Sequence, residues 1–269
     1  MIIIGEKLNG SIPSVGKAIA ERNAKRIRSL AIKQEDAEAD FLDVCASVPE
    51  DVEVETLKWM LDLVQDASDL PICLDSPSPN TIVQAIPLVK KPGLINSVSM
   101  EGEKIAKIFP VIADTRWKCI ALCSDENGIP DTSAKRLKVF ERILAEADKY
   151  GIAHNRLFID PLVEMLAISE DGVNTVLETI RGIRAMDEDV HIIGAVSNIS
   201  FNLPARALMN QIFTALAIGA GMDAAILDPL NRDMIGAVFA AEACMGLDEY
   251  CMEYIGAFRE GRIGPLPKE

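Results

Sequence analysis

Short apolar runs recur along this chain, and each gives way first to a polar residue and then to a stretch of helical spacing. The runs at 2–5, 41–45, 71–75, 94–97, 118–122, 157–161, 191–196 and 222–229 are four to eight residues long and rich in Ile, Val and Leu, which predicts buried strands. Between them the spacing predicts helices over 14–33 (Val15, Ile19, Ile27, Leu30), 54–64, from Ser78-Pro79 onward, 101–113, 132–150, 172–186, 205–218 and 233–255. The tail 261–269 reads as loose.

Eight strands alternating with eight helices, without a composition break, a low-complexity segment or a long linker, predict one (β/α)8 TIM barrel over residues 1–269. An open, doubly wound sheet fits less well, because no Gly-x-Gly-x-x-Gly turn follows any strand and there is no Walker sequence. In a barrel the C-terminal ends of all strands converge on one mouth. Here that mouth carries Asp43 on its wall, then Asp75, Asn96, Asp160, Asn198 and Asp228. A single Asp at a strand end serves more often as a cap or turn residue than as a ligand contact. Five strands ending alike carry the argument further. Ser78 is available to cap the helix after Asp75, whereas Asp160 and Asp228 are each followed by Pro and keep a strong turn reading. The segment from Gly194 to Arg206 stands out, since an apolar run passes there into Ser197, Asn198, Ser200 and Asn202 before a new helix.

Composition narrows the partners. The chain has 27 basic and 41 acidic residues, a net charge of −14, with no basic cluster, which argues against nucleic acid and anionic membranes. The first apolar run is too short for a secretory leader, no stretch approaches the ~20 apolar residues of a membrane helix, and a cytoplasmic protein is expected. Six cysteines, mostly within apolar runs, suit reduced, buried thiols, and Cys119 and Cys123 have no His or second Cys pair to complete a metal site. His154 and His191 precede their strands and so belong to the opposite end of the barrel. No metal site is expected. Carboxylates and amides at a barrel mouth suit a neutral heterocycle bearing several N–H groups.

Gly5-Glu6-Lys7-Leu8-Asn9-Gly10, Leu74-Asp75-Ser76, Ile95-Asn96-Ser97, Asn127-Gly128-Ile129-Pro130, Ile159-Asp160-Pro161-Leu162 and Ser197-Asn198-Ile199-Ser200 fall in the order and spacing of the pterin-binding methyltransferases. From Met1 to about Glu253 the chain resembles the methyltetrahydrofolate:corrinoid protein methyltransferases, most specifically in the Ser-Asn-x-Ser block with Arg206 and Asn210 downstream. The resemblance implies a barrel that is often a homodimer, with the pterin in its mouth. It implies that Asp75, Asn96 and Asp160 hold the pterin ring, that Asn198 faces the methyl-bearing N5 as the catalytic amide, and that Arg206 lies near the folate. Gly194, Ser197 and Phe201 of the same block are further candidates for folate contact, with Glu6, Asp43 and Asp228 beyond them.

The substrates so implied are tetrahydrofolate and 5-methyltetrahydrofolate, and the cobalamin is expected on a partner corrinoid protein, since the chain has no Asp-x-His-x-x-Gly motif. Two departures stand out: Cys45 replaces an amide at the second strand, and Phe201 replaces a Gln after the Ser-Asn-x-Ser block. The favoured reading is methyl transfer from a corrinoid to tetrahydrofolate in a demethylation pathway, with the reverse transfer to a corrinoid/iron–sulfur protein in acetogenesis as the alternative. A dihydropteroate synthase is the nearest other enzyme, although its N-terminal signature and anion loops are absent. A non-catalytic folate binder and a barrel enzyme for another small molecule are further alternatives.

Overall fold

A computed structural model describes residues 1–265. Eight parallel strands close into a barrel in sequence order: β1 (Ile2–Asn9), β2 (Phe41–Cys45), β3 (Ile72–Asp75), β4 (Leu94–Ser99), β5 (Lys118–Leu122), β6 (Leu157–Asp160), β7 (His191–Ala195) and β8 (Ala224–Leu227). Closure is made by β1 and β8, which pair from Ile2 opposite Ala224 to Gly5 opposite Leu227. Helices surround the barrel: α1 (Pro13–Ala20), α2 (Ala24–Asp36), α3 (Glu50–Ala67), α4 (Pro79–Ala85), α5 (Lys104–Ile112), α6 (Ser133–Lys149), α7 (Gly172–Met186), α8 (Arg206–Ala220), α9 (Arg232–Cys244) and α10 (Met252–Arg259).

Two continuous helices expected from spacing are each broken. The 14–33 segment divides because Arg22 takes a left-handed φ of 50° and Asn23 then caps α2, its side chain accepting the Arg26 N–H at 3.1 Å. The 233–255 segment stops after Cys244, where Gly246 adopts φ 72°. It resumes as α10 once Asp248 accepts the N–H groups of Glu253 and Tyr254 at 3.0 and 2.9 Å. Apolar periodicity carries across both breaks because the flanking helices pack on the same core. The last four positions of the 261–269 tail lie outside the described residues.

Strand alternation divides the interior in two. One face of the strands packs on the helices in the main core. The other supplies Ile4, Phe41, Cys73, Leu94, Ile120, Phe158, Ile193 and Ala224, one from each strand, to a separate apolar layer inside the barrel. That layer plugs the barrel, so a ligand can enter only above it. Cys45, Cys73, Cys119 and Cys123 are buried as expected, but Cys244 and Cys251 are exposed at the ends of α9 and of the turn before α10. Among the described residues no helix is long and apolar enough to cross a membrane.

Candidate functional site

Two residues beyond the apolar plug, the same strand faces present Glu6, Asp43, Asp75, Asn96, Leu122, Asp160, Ala195 and Ile226. Glu6, Asp43, Asp75, Asn96, Ala195 and Ile226 line a cavity of about 490 Å³, whose rim adds Ser197, Asn198, Phe201 and Arg206. A polar layer thus sits directly on an apolar one. Elements distant in sequence deliver its members: β1, β2, β3, β4 and the β7–α8 connection.

On the floor, Asn96 Nδ2 of β4 donates to Asp43 Oδ1 of β2 at 3.3 Å, reaching over the intervening β3. Asp75 stands opposite Asn96 in the β3–β4 ladder, and Cys45 opposite Asp75. Burial raises the pKa values of both Asp43 and Asp75, and the Asp43 charge adds to the rise at Asp75. Burial likewise places the Cys45 thiol far above its ordinary range, so it stays neutral. The helix after Asp75 is capped by Ser78, whose Oγ accepts the Thr81 N–H at 3.3 Å, so Asp75 has no capping duty.

Glu6 reaches the cavity from an irregular part of β1. Gly5 pairs with Leu42, but Leu8 pairs with Val44, so β1 carries one extra residue between those points. Gln34 of α2 holds this bulge, its Oε1 accepting the Lys7 N–H at 2.9 Å. Lys7 then extends its Nζ to Asp228 Oδ2 at 2.9 Å. Glu6 receives a long contact, 3.5 Å, from the Ser197 hydroxyl. Burial, then the Asp228 charge, lift the Glu6 pKa to about 7 against the opposing pull of Lys7.

The β7 strand ends at Ala195 and continues as a 3-10 turn, Val196–Ser200, that carries Asn198. Arg206, the first residue of α8, holds this turn from the far side. Its Nε donates to Ser200 Oγ at 3.0 Å, its Nη2 to the Ser197 carbonyl at 3.0 Å, and its guanidinium lies 4.5 Å from the centre of the Phe201 ring. Phe201 is therefore paired with Arg206, while still lining the cavity.

Three other candidates lie outside the cavity lining. Asp160 occupies the polar layer on β6, but its Oδ1 accepts the Leu162 N–H at 2.7 Å in a turn, and burial raises its pKa to about 6. Asp228 accepts from Lys7 and from the Leu230 N–H at 3.0 Å. Gly194 belongs to the opposite strand face, where an added Cβ would come within 3.3 Å of Met222 and Val163. His154 and His191 sit before β6 and at the start of β7, engaged with Asp187 and with Asp223. Among the described residues no group of three or more His, Cys, Asp or Glu side chains could hold a metal ion.

Residues not anticipated also line the cavity, among them Lys7, Asn9, Ala195 and Ile226. Ala195 and Ile226 stand two positions beyond the plug residues Ile193 and Ala224, within apolar runs that carry no polar mark. Lys7 and Asn9 depend on the bulge, which leaves no mark in the hydrophobic pattern. Arg136 was also missed: wholly buried, it donates to the Pro130, Pro161 and Leu162 carbonyls at 2.9, 2.7 and 2.7 Å and pairs with Glu164, bracing the loops after β5 and β6. A larger hollow of about 590 Å³ lies between the Asp125–Asp131 loop and α6. The strand-end polar layer does not reach it, and its Lys135 and Arg142 are paired with surface carboxylates.

A plugged parallel barrel with carboxylates and amides across its C-terminal mouth defines the class of protein. The chain belongs to the pterin-binding enzyme family, whose pattern matches residues 7–228. It is 47% identical over 268 residues to the methylcorrinoid:tetrahydrofolate methyltransferase of Eubacterium limosum, spanning 99% of both chains. It is also 27% identical over 251 residues to the methionine synthase of Mycobacterium tuberculosis, a match covering 86% of this chain but 21% of that protein. A dihydropteroate synthase from Xanthomonas albilineans, solved with 7,8-dihydropteroate, shares the fold with a TM-score of 0.64 at 17% identity, over 90% of this chain and 92% of that one.

Proposed function

We propose that this protein is a methyltransferase moving a methyl group between a corrinoid protein and N5 of tetrahydrofolate, in the direction from methylcorrinoid to tetrahydrofolate. The observation that carries this reading is the polar layer of Asp43, Asp75 and Asn96 facing the Asn198 turn across one cavity, in a chain alike over its full length to a protein named for that reaction. In this reading Asp75 and Asn96 take the N–H and C=O groups of the pterin edge. Asp160, in the same polar layer but behind the cavity lining, offers Oδ2, the oxygen not engaged by Leu162, beyond them. A donor-rich ring is the partner that offsets burying these carboxyls.

Asn198 supplies a polar amide to N5. It hydrogen-bonds the nitrogen as charge changes there, stabilising the transition state without gaining or losing a proton itself. Arg206 keeps the turn that bears Asn198 in place. The corrinoid arrives on its own protein as the methyl-bearing co-substrate. The protein acts in the cytoplasm, a reading supported by its six free thiols. It pairs as a homodimer, supported by Leu208, Ile212 and Leu216, which form an exposed apolar stripe along α8.

The test mixes the protein with methylcobalamin or a methylated corrinoid protein and tetrahydrofolate, and follows the cobalt absorbance together with methyltetrahydrofolate formation. Demethylation that requires both protein and tetrahydrofolate is expected. Asn198→Ala should lower kcat on the order of 10²–10³-fold with little change in tetrahydrofolate affinity. Unchanged turnover in that variant removes Asn198 from the mechanism.

A further inference from the structure

Methylating the secondary amine N5 leaves a proton that has to go somewhere. The N5 lone pair forms the new N–CH3 bond, cobalt keeps the electron pair of the broken Co–C bond, and the resulting ammonium must shed its N–H proton to give the neutral product. Asn198 cannot take it, because an amide is not basic at neutral pH. No histidine lines the cavity among the described residues.

The carboxyls differ in what already holds them. Asp43 accepts from Asn96 on the floor, Asp160 accepts from Leu162 in a turn, and Asp228 is bonded to Lys7 and Leu230. Asp75 sits beside Asp43 at the pterin-edge side of the cavity. Glu6 stands on the other side, against the turn that bears Asn198. Its one side-chain hydrogen bond comes from Ser197, the residue preceding that amide, and the 3.5 Å length leaves the carboxylate with most of its accepting capacity unused. Glu6 faces inward two residues beyond Ile4, and the β1 bulge in which it sits is held at Lys7 by a fully buried Gln34, so this placement is built into the fold.

We propose that Glu6 is the catalytic base that takes the N5 proton when tetrahydrofolate is methylated, and that returns it to N5 in the reverse transfer. This rests on the assignment of the mouth made above. The balance is complete: the N5–H bond breaks with its electrons remaining on nitrogen, and the proton ends on a Glu6 carboxylate oxygen. The charges facing Glu6 are Asp228 and Asp43, which oppose its ionisation, and Lys7, which favours it. With burial, they set it near neutrality, where a carboxyl can both accept and return a proton. Below that pH Glu6 is protonated and cannot serve as base, so methylation of tetrahydrofolate slows as pH falls. The reverse transfer needs the protonated form and slows as pH rises.

The experiment measures single-turnover methyl transfer from methylcobalamin to tetrahydrofolate across about pH 5.5 to 8.5, with tetrahydrofolate affinity by calorimetry, for the full chain, Glu6→Gln and Glu6→Asp. The unaltered protein should show a rate that climbs through a midpoint near pH 7. Glu6→Gln should be on the order of 10²-fold slower and lose that midpoint, while binding tetrahydrofolate within about threefold of the original affinity. Glu6→Asp should keep the pH-dependent rise at an intermediate rate. A Glu6→Gln enzyme with the original rate and profile overturns the proposal. So does one that loses rate only in proportion to tetrahydrofolate affinity, since that is a ground-state contact. Should Glu6→Gln fail to fold, Glu6→Asp decides: a flat profile in that variant overturns the assignment. An unaltered protein that neither binds tetrahydrofolate nor transfers methyl sinks the mouth assignment itself, which is a different result from normal turnover insensitive to Glu6.

Discussion

Arg206 commits its guanidinium to the turn that carries Asn198, with one nitrogen on the Ser200 hydroxyl, another on the Ser197 carbonyl and its plane over Phe201. The fork geometry matters as much as the charge, because an ammonium cannot make both bonds and stack at once. Arg206→Ala should therefore act through placement of Asn198. The expected loss in kcat/KM for tetrahydrofolate is on the order of 10–100-fold, matching ~1–3 kcal/mol for charge-assisted hydrogen bonds. Arg206→Lys should recover less than half of that loss in free energy, and steady-state kinetics on the two variants checks this. Asp75 illustrates a different residue-scale effect. Its buried carboxyl resists ionisation until a hydrogen-bonding ring meets it, so Asp75→Ala should weaken tetrahydrofolate binding by ~1–3 kcal/mol in a calorimetric titration.

Among the elements, β1 and β4 are both irregular where they meet the site, β1 between Gly5 and Leu8 and β4 just after Asn96. The β1 irregularity adds a lining residue. Glu6 faces the mouth by alternation from Ile4, the extra residue lets the adjacent Lys7 reach it too, and the bulge depends on Gln34 standing close against the strand. Gly5 makes that approach possible, since a Cβ there would lie 2.5 Å from Gln34 Oε1. Gly5→Ala should displace the Gln34 amide, free the Lys7 N–H and destabilise the protein by ~1–3 kcal/mol in urea unfolding. Methyl transfer should fall with it, because Glu6 shares the bulge. β7 makes the complementary choice: it stops at Ala195 and lets a 3-10 turn present Asn198, where a longer strand would have continued the alternation.

At the scale of the whole molecule, the apolar plug and the polar layer above it make the barrel one-ended. The strand-end carboxylates and amides gather at that one mouth. If Leu208, Ile212 and Leu216 on α8 meet a second copy, the protein should sediment as a dimer, and Ile212→Asp should shift it to monomer while leaving far-UV dichroism unchanged. A monomeric parent protein at micromolar concentration would remove α8 from any such interface.

The sequence by itself determined the eight strands, their order and the closed barrel, because period-two and helical apolar spacing are local properties that survive in one dimension. It also marked Asp43, Asp75, Asn96 and Asn198, since a polar residue at the end of a buried run breaks a strong pattern. The Pro after Asp160 and after Asp228 already pointed to the turns that hold them, but the sequence could not place Gly194 on the outer strand face or divide the helices at Arg22 and Gly246, because those outcomes follow from backbone conformation and packing partners. The contacts of Glu6 with Ser197, of Arg206 with the Asn198 turn and of Gln34 with the β1 bulge were decided only in the tertiary structure. Glu6 and Ser197 are 191 positions apart, and only closing the barrel between its first and last strands brings their elements to one cavity. Once that ring is closed, burial and neighbouring charge set which carboxyl can exchange a proton, a property no residue carries in its name.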